Sequence, residues 1–178
     1  MNKTKIFPSG IATGAAFCNR ETERKYLQEC FANNEHIVIV APRRYGKTSL
    51  ITQVIQESGI LSVAIDLLLA VDTMFVLEAI LLGVGEICSL ILEKENSLKD
   101  RMFSTFSAFN PKLTLSAFGQ KLELSARNHH PNTITEALLL LEKIAKESGK
   151  QIVFAMDEFQ QIATISNNHT IEASIRHA

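Results

Sequence analysis

The chain has 178 residues, 46% of them hydrophobic and 21% charged, with a formal net charge of -1 at pH 7. That length suits one ordinary domain burying about 70% of its extended surface, and the composition excludes disordered, collagen-like and fibrous classes. A charge near zero with both signs interspersed gives no basic footprint for a nucleic-acid backbone, so nucleic acid is not indicated as a partner. Cys18, Cys30 and Cys88 are odd in number, widely spaced and form no CxxC pair. Neither a disulfide framework nor a zinc site is expected, and a cytoplasmic setting fits best. Lys3 and Lys5 precede a weakly apolar stretch that Pro8 and Gly10 interrupt, which is not the pattern of an export signal. The most hydrophobic segment, 61–92, carries Asp66, Asp72, Glu78 and Glu86. These leave no uncharged run near the roughly 20 residues of a spanning helix, so the segment reads as core rather than membrane.

In chain order, a lead-in with Pro8, Gly10 and Gly14 is followed by FCNRETERKYLQECF, where Phe17, Tyr26, Leu27 and Phe31 take helix-compatible spacing. HIVIVA at 36–41 is a continuous β-branched run that predicts a strand buried on both faces, as parallel strands are. After PRRYG, KTSLITQVIQES predicts an amphipathic helix on Leu50, Ile51, Val54 and Ile55, stopped by Gly59. ILSVAIDLL predicts a second buried strand. MFVLEAILLGVGEICSLIL at 74–92 predicts a helix apolar almost all round, sandwiched or at an oligomer interface, with close packing to explain Gly83 and Gly85. KLTLSA and KLELSA flank Phe118-Gly119-Gln120 and predict a β-hairpin excursion near 111–126. TITEALLLLEKIAKESG predicts a helix with a capping-box-like start on Thr133 and Glu136. QIVFAM is the third predicted buried strand, ending at Asp157-Glu158 before a polar, helical C-terminal stretch.

Ala41-Pro42-Arg43-Arg44-Tyr45-Gly46-Lys47-Thr48 follows the phosphate-loop spacing GxxxxGK[ST], with alanine in place of the first glycine. In such a loop, backbone N–H groups surround a phosphate and the following helix adds the positive end of its dipole. Gly46 admits close approach to the phosphates, Lys47 reaches them as a point charge, and the Thr48 hydroxyl would hold Mg²⁺. The candidate nucleotide-binding residues are therefore Pro42, Arg43, Arg44, Tyr45, Gly46, Lys47, Thr48 and Ser49, with Arg43 and Arg44 individually reading as solvent-facing. The predicted strand before the loop and helix after it are the context the motif requires.

A loop of this kind needs a carboxylate at the end of a neighbouring strand to organise Mg²⁺, and Asp157 follows IVFAM. Thr48 and Asp157 are the candidate metal ligands. Glu158 would orient or deprotonate an attacking water, so Lys47 and Glu158 are the candidate catalytic groups. Taken alone, an Asp-Glu pair after a strand reads equally as a helix N-cap. Gln160 reads as a polar relay or as a surface residue. Asp66, at another strand end, faces the site or serves a cap or turn. His129 and His130 beside Pro131 have no partner at ligand spacing and read as a solvated loop.

The blocks FCNRETERKYL, IVIVAPRRYGKTSLI and FAMDEFQQI, in that order from Phe17 onward, resemble the prokaryotic archaeal-type ATPases, near the AAA+ and signal-transduction NTPases. The resemblance implies an α/β, three-layer P-loop NTPase fold with a mostly parallel sheet of order 5-1-4-3-2, and ATP with Mg²⁺ as ligands. No NKxD-like guanine signature occurs. It further implies that Asn19-Arg20-Glu21 corresponds to an arginine-containing box near the adenine, although Arg20 and Glu21 also read as a pair on a helix surface. Relatives continue into another strand with a polar sensor residue and a helical lid, so 1–178 is expected to be a single ATPase domain, incomplete at its C-terminus. In that order the strands at 37–41 and 152–156 are not neighbours. They are expected to pair directly or to leave a gap filled by C-terminal residues or another chain, as in a homodimer.

Three functions follow as expectations: an ATPase coupling hydrolysis to a conformational change, a nucleotide-dependent binding or switch module with little turnover, and an interaction fragment using the apolar helix at 74–92.

Overall fold

A computed structural model describes residues 10–94, 132–166 and 168–176. The chain divides into two compact units, Met1–Ile60 and Leu61–Ala178.

In the first unit a 3-10 turn at Gly14–Ala16 precedes helix α1, Glu21–Ala32, and helix α2 spans Lys47–Ser58. Glu21 and Glu23 occupy the first turn of α1, where the helix dipole favours negative charge. Leu27, Cys30 and Phe31 recur at helical spacing and are buried. The helix closes on Asn34, whose φ is 56°, with N–H bonds from Glu35 to the Cys30 carbonyl at 2.9 Å and from Asn34 to Phe31 at 3.0 Å. This is a Schellman closure, and asparagine is among the few residues that tolerate its left-handed position. Helix α2 buries Leu50 and Val54, one turn apart, and packs on α1.

The run at 36–41, expected to be a buried strand, belongs to no strand: residues 35–42 have no regular secondary structure, and Val38 and Val40 are 86% and 90% exposed. β-branched side chains favour a pleated backbone locally, but a strand exists only where a neighbour completes its hydrogen bonds. Among the described residues the sheet holds two strands, and this run takes no part in it.

The second unit runs β1 (Leu61–Asp66), α3 (Thr73–Lys94), α4 (Asn132–Ser148), β2 (Ile152–Asp157), a 3-10 segment (Phe159–Thr164) and α5 (Asn168–Arg176). β1 and β2 pair in parallel from Leu61 opposite Ile152 to Asp66 opposite Asp157. The mixed α/β class and the parallel direction are as expected. The burial is not, because β1 alternates: Val63 and Ile65 are buried whereas Ala64 and Asp66 are exposed. α3 covers one face of β1 and packs on α4. Parity places Asp66 and Asp157 on the other face. The hairpin expected near 111–126, and His129, His130 and Pro131, lie outside the described residues.

Asp72 starts α3, its carboxylate accepting the Phe75 N–H at 2.8 Å and its carbonyl the Val76 N–H at 3.4 Å. The helix is long and apolar enough to cross a bilayer by composition, yet half of the window Thr73–Ile91 is buried within the protein. Val76, Leu77, Ile80, Leu81, Val84, Ile87, Cys88 and Ile91 join the core with Ile134, Leu140 and Ile144 of α4. Phe75, Glu78, Leu82, Glu86 and Ser89 form the exposed stripe, so α3 is not enclosed on all sides. Gly83 is required by packing, since a Cβ there would lie 2.8 Å from the Phe154 ring and 2.9 Å from Ile65 Cγ2. Gly85 has no such reason, with nothing within 4 Å of an added Cβ. α4 begins at Asn132, which places Thr133 inside the helix rather than at its cap.

Candidate functional site

The loop leading into α2 turns through a 3.3 Å bond from the Tyr45 N–H to the Pro42 carbonyl. Two left-handed residues shape it, Arg44 at φ 64° and Gly46 at φ 74°. Gly46 is the N-cap of α2, and its carbonyl accepts the Leu50 N–H at 2.9 Å to close the first turn. The amides of Lys47, Thr48 and Ser49 thus belong to the first turn, which has no intrahelical acceptors for them. Lys47 folds back across the loop, its Nζ donating to the Ala41 carbonyl at 3.0 Å in a partly buried position. The two ends of the motif are therefore joined by its lysine. Pro42, Arg43, Arg44, Tyr45 and Thr48 are exposed, which agrees with solvent-facing arginines.

The lead-in segment binds this loop and helix, a contact that spacing did not announce. The Ala12 N–H donates to Ser49 Oγ at 3.0 Å and the Gly14 N–H to Gln53 Oε1 at 2.6 Å. The Ser49 hydroxyl thus accepts from the lead-in segment and keeps its own O–H as a donor. Arg20 donates from Nη2 to the Tyr45 carbonyl, and its guanidinium carbon lies 6.0 Å from the Tyr45 ring centroid. The partners are 25 to 39 residues apart in sequence, beyond any local pattern. Behind the loop, Arg24 bridges to Glu57 of α2, which also accepts from Gln28 at 3.2 Å and Gln53 at 2.6 Å. The Gln53 amide and the Arg24 guanidinium hold the Glu57 carboxyl below its usual range.

In the second unit Asp66, Asp157 and Glu158 lie at the C-terminal ends of the parallel strands, where open α/β sheets bind ligands. Asp157 is the last residue of β2, and its Oδ1 accepts the Glu158 N–H at 2.9 Å. Its carbonyl accepts the Leu67 N–H at 3.1 Å, extending the ladder one step past Asp66. Glu158 is left-handed, φ 53°, and starts the 3-10 segment. A non-glycine residue there costs about 1–3 kcal/mol, a strain concentrated at functional positions. Its carboxylate accepts the side-chain amide of Gln160, which is exposed. Asp66 closes a local turn, its Oδ1 accepting the Leu68 N–H at 2.8 Å. Of the cysteines, Cys18 is exposed while Cys30 and Cys88 are buried. Burial pushes the Cys88 thiol up to about 12, which makes it a core residue rather than a nucleophile.

The sequence profile of a family described as an ATPase domain predominantly from Archaea matches residues 17–173. No curated protein and no solved structure gives a significant match.

Proposed function

The chain belongs to the archaeal-type ATPase family, and from that premise we propose that it binds ATP with Mg²⁺ and hydrolyses it, coupled to a conformational change. The observation that carries the reading is the Lys47 ammonium drawn across the loop onto the Ala41 carbonyl, directly before the helix that the left-handed Gly46 starts. A β-γ phosphate competes well for that ammonium, because a phosphate oxygen carries charge and a carbonyl does not. In this reading the backbone N–H groups from Arg43 to Ser49 surround the phosphates, with Pro42, which has none, lining the loop, and Lys47 binds the β and γ groups. Thr48 and Asp157 suit Mg²⁺ because a hydroxyl and a carboxylate are hard oxygen donors. When bound, the ion would neutralise phosphate charge. Glu158 orients or deprotonates the attacking water. The same proposal makes the chain a single ATPase domain of the three-layer P-loop type, its sheet extended beyond the two described strands.

Phosphate release dependent on Mg²⁺ tests it. Turnover should vanish in Lys47→Ala, and Glu158→Gln should lose about 10²-fold or more while retaining ATP binding. An unchanged rate in Glu158→Gln removes it as the base. The Gln160 amide on Glu158 supports a second reading, a switch module that holds ATP with little turnover, since this contact engages the very carboxylate that would take the proton. Thermal stabilisation by ATP without phosphate release is its signature.

A further inference from the structure

We infer that Arg20 is a positioning residue for phosphate binding: by anchoring the Tyr45 carbonyl it turns the Gly46 N–H toward the bound phosphates. The inference rests on the nucleotide-binding reading above and assigns Arg20 to the loop rather than to the base. Two contacts reach the same residue, the hydrogen bond to the Tyr45 carbonyl and the guanidinium over its ring at 6.0 Å. A Cβ added to Gly46 would lie 4.0 Å from Arg20 Nη2, so the guanidinium also sits beside the glycine itself.

The physical argument is the planarity of the peptide unit. The Tyr45 carbonyl and the Gly46 N–H belong to one trans peptide, so they point in opposite directions and rotate together. This peptide lies among left-handed residues, Arg44 at φ 64° and Gly46 at φ 74°, and glycine resists a peptide flip least of all residues. Tying the carbonyl to Arg20 selects one of the two orientations. Lys47 restrains the loop at its other end through the Ala41 carbonyl, but in the proposed function it leaves that carbonyl for the phosphates. Arg20 binds a carbonyl and has no need to leave. Asn19 and Arg20 are consecutive left-handed residues at φ 63° and 64°, a region that asparagine tolerates but that is disfavoured for arginine, so the fold holds Arg20 in place against its own backbone preference.

Calorimetric titration of the full chain with two probes, Mg-ATP and inorganic tripolyphosphate with Mg²⁺, tests the assignment. Arg20→Ala should weaken both by a similar factor, about tenfold or more for loss of a charged hydrogen bond. Its nucleotide-free form should also exchange the amides at 44–47 faster than wild type. Arg24→Ala removes a neighbouring bridge between α1 and α2 without touching the loop, so it should lower the melting temperature yet leave both affinities within about twofold. Arg20→Lys keeps the charge without the planar fork, should fall between wild type and Arg20→Ala, and carries the test where Arg20→Ala does not fold. A loss confined to ATP, with tripolyphosphate unaffected, overturns the inference in favour of adenine contact. So does wild-type affinity or unchanged loop exchange in Arg20→Ala. A wild-type chain that binds neither probe brings down the nucleotide-binding reading and this inference with it, whereas an unaffected variant brings down the inference alone.

Discussion

The two units of the chain are held by different kinds of contact. Leu61–Ala178 is built on apolar burial, with Ile80, Ile87, Ile91, Leu140 and Ile144 at 0% exposure across α3 and α4. Among the described residues, Met1–Ile60 buries fewer and is tied by directional bonds between distant positions: Ala12 to Ser49, Gly14 to Gln53, Arg20 to Tyr45 and Arg24 to Glu57. Apolar burial is non-directional and grows with area. A hydrogen bond contributes about 1 kcal/mol net but fixes an orientation. The second unit therefore holds strand ends, and the acidic residues on them, on a stable support. The first unit fixes the course of the loop before α2 through bonds that each set a direction.

The largest expected effect lies in the apolar unit. Ile80→Ala should lower stability by about 2–5 kcal/mol, read as a fall in the urea midpoint at unchanged slope. A cost under about 1 kcal/mol would erase the contrast between the units. Next comes Gly83→Ala, where a methyl meets the Phe154 ring and Ile65. The overpacking should cost about 1–3 kcal/mol, against which the better helix propensity of alanine offsets only about 1. Two residues along the same helix, Gly85→Ala has open space and should gain up to about 1 kcal/mol. Thermal melts of the two variants should therefore move in opposite directions, and a common sign would show that packing around Gly83 is not as tight as described.

The smallest effect sharpens the other side of the comparison. The Glu57 carboxyl is held below its usual range, so the stability it contributes is fully present above the unfolded carboxylate pKa, roughly 4.3. That contribution is lost as pH falls through the lower folded value. Amide protection in α1 and α2 should thus be flat from pH 8 to about 5, once corrected for intrinsic exchange, and should weaken below about 4. Glu57→Gln should remove that acid dependence, and a variant that retains it would assign the effect to another carboxylate.

Much of this was legible because it is local. KTSLITQVIQES forms a helix over those same residues, Lys47–Ser58, since a helix satisfies its backbone within one segment and the glycine after it stops it. The second and third expected strands form and end at Asp66 and Asp157, and the blocks that resembled archaeal-type ATPases fall within the span that family matches. Where the same kind of reading failed, the property belonged to two segments at once. HIVIVA has as much β propensity as IVFAM, yet among the described residues only the latter finds a parallel neighbour. The two glycines of α3 are indistinguishable in sequence, and only the approach of Phe154 separates them.

The sequence by itself determined the helix limits around the loop, the order of chemistry-bearing residues and the family, because spacing and residue type suffice for these. Tertiary structure alone decided that β1 buries one face and not two, that Lys47 rests on Ala41, and that Arg20 reaches the Tyr45 carbonyl. Each of these depends on which distant atoms come within bonding or packing distance. Backbone hydrogen bonds of a strand and the aim of a loop amide are satisfied only across such distances, and no periodicity in the chain encodes them.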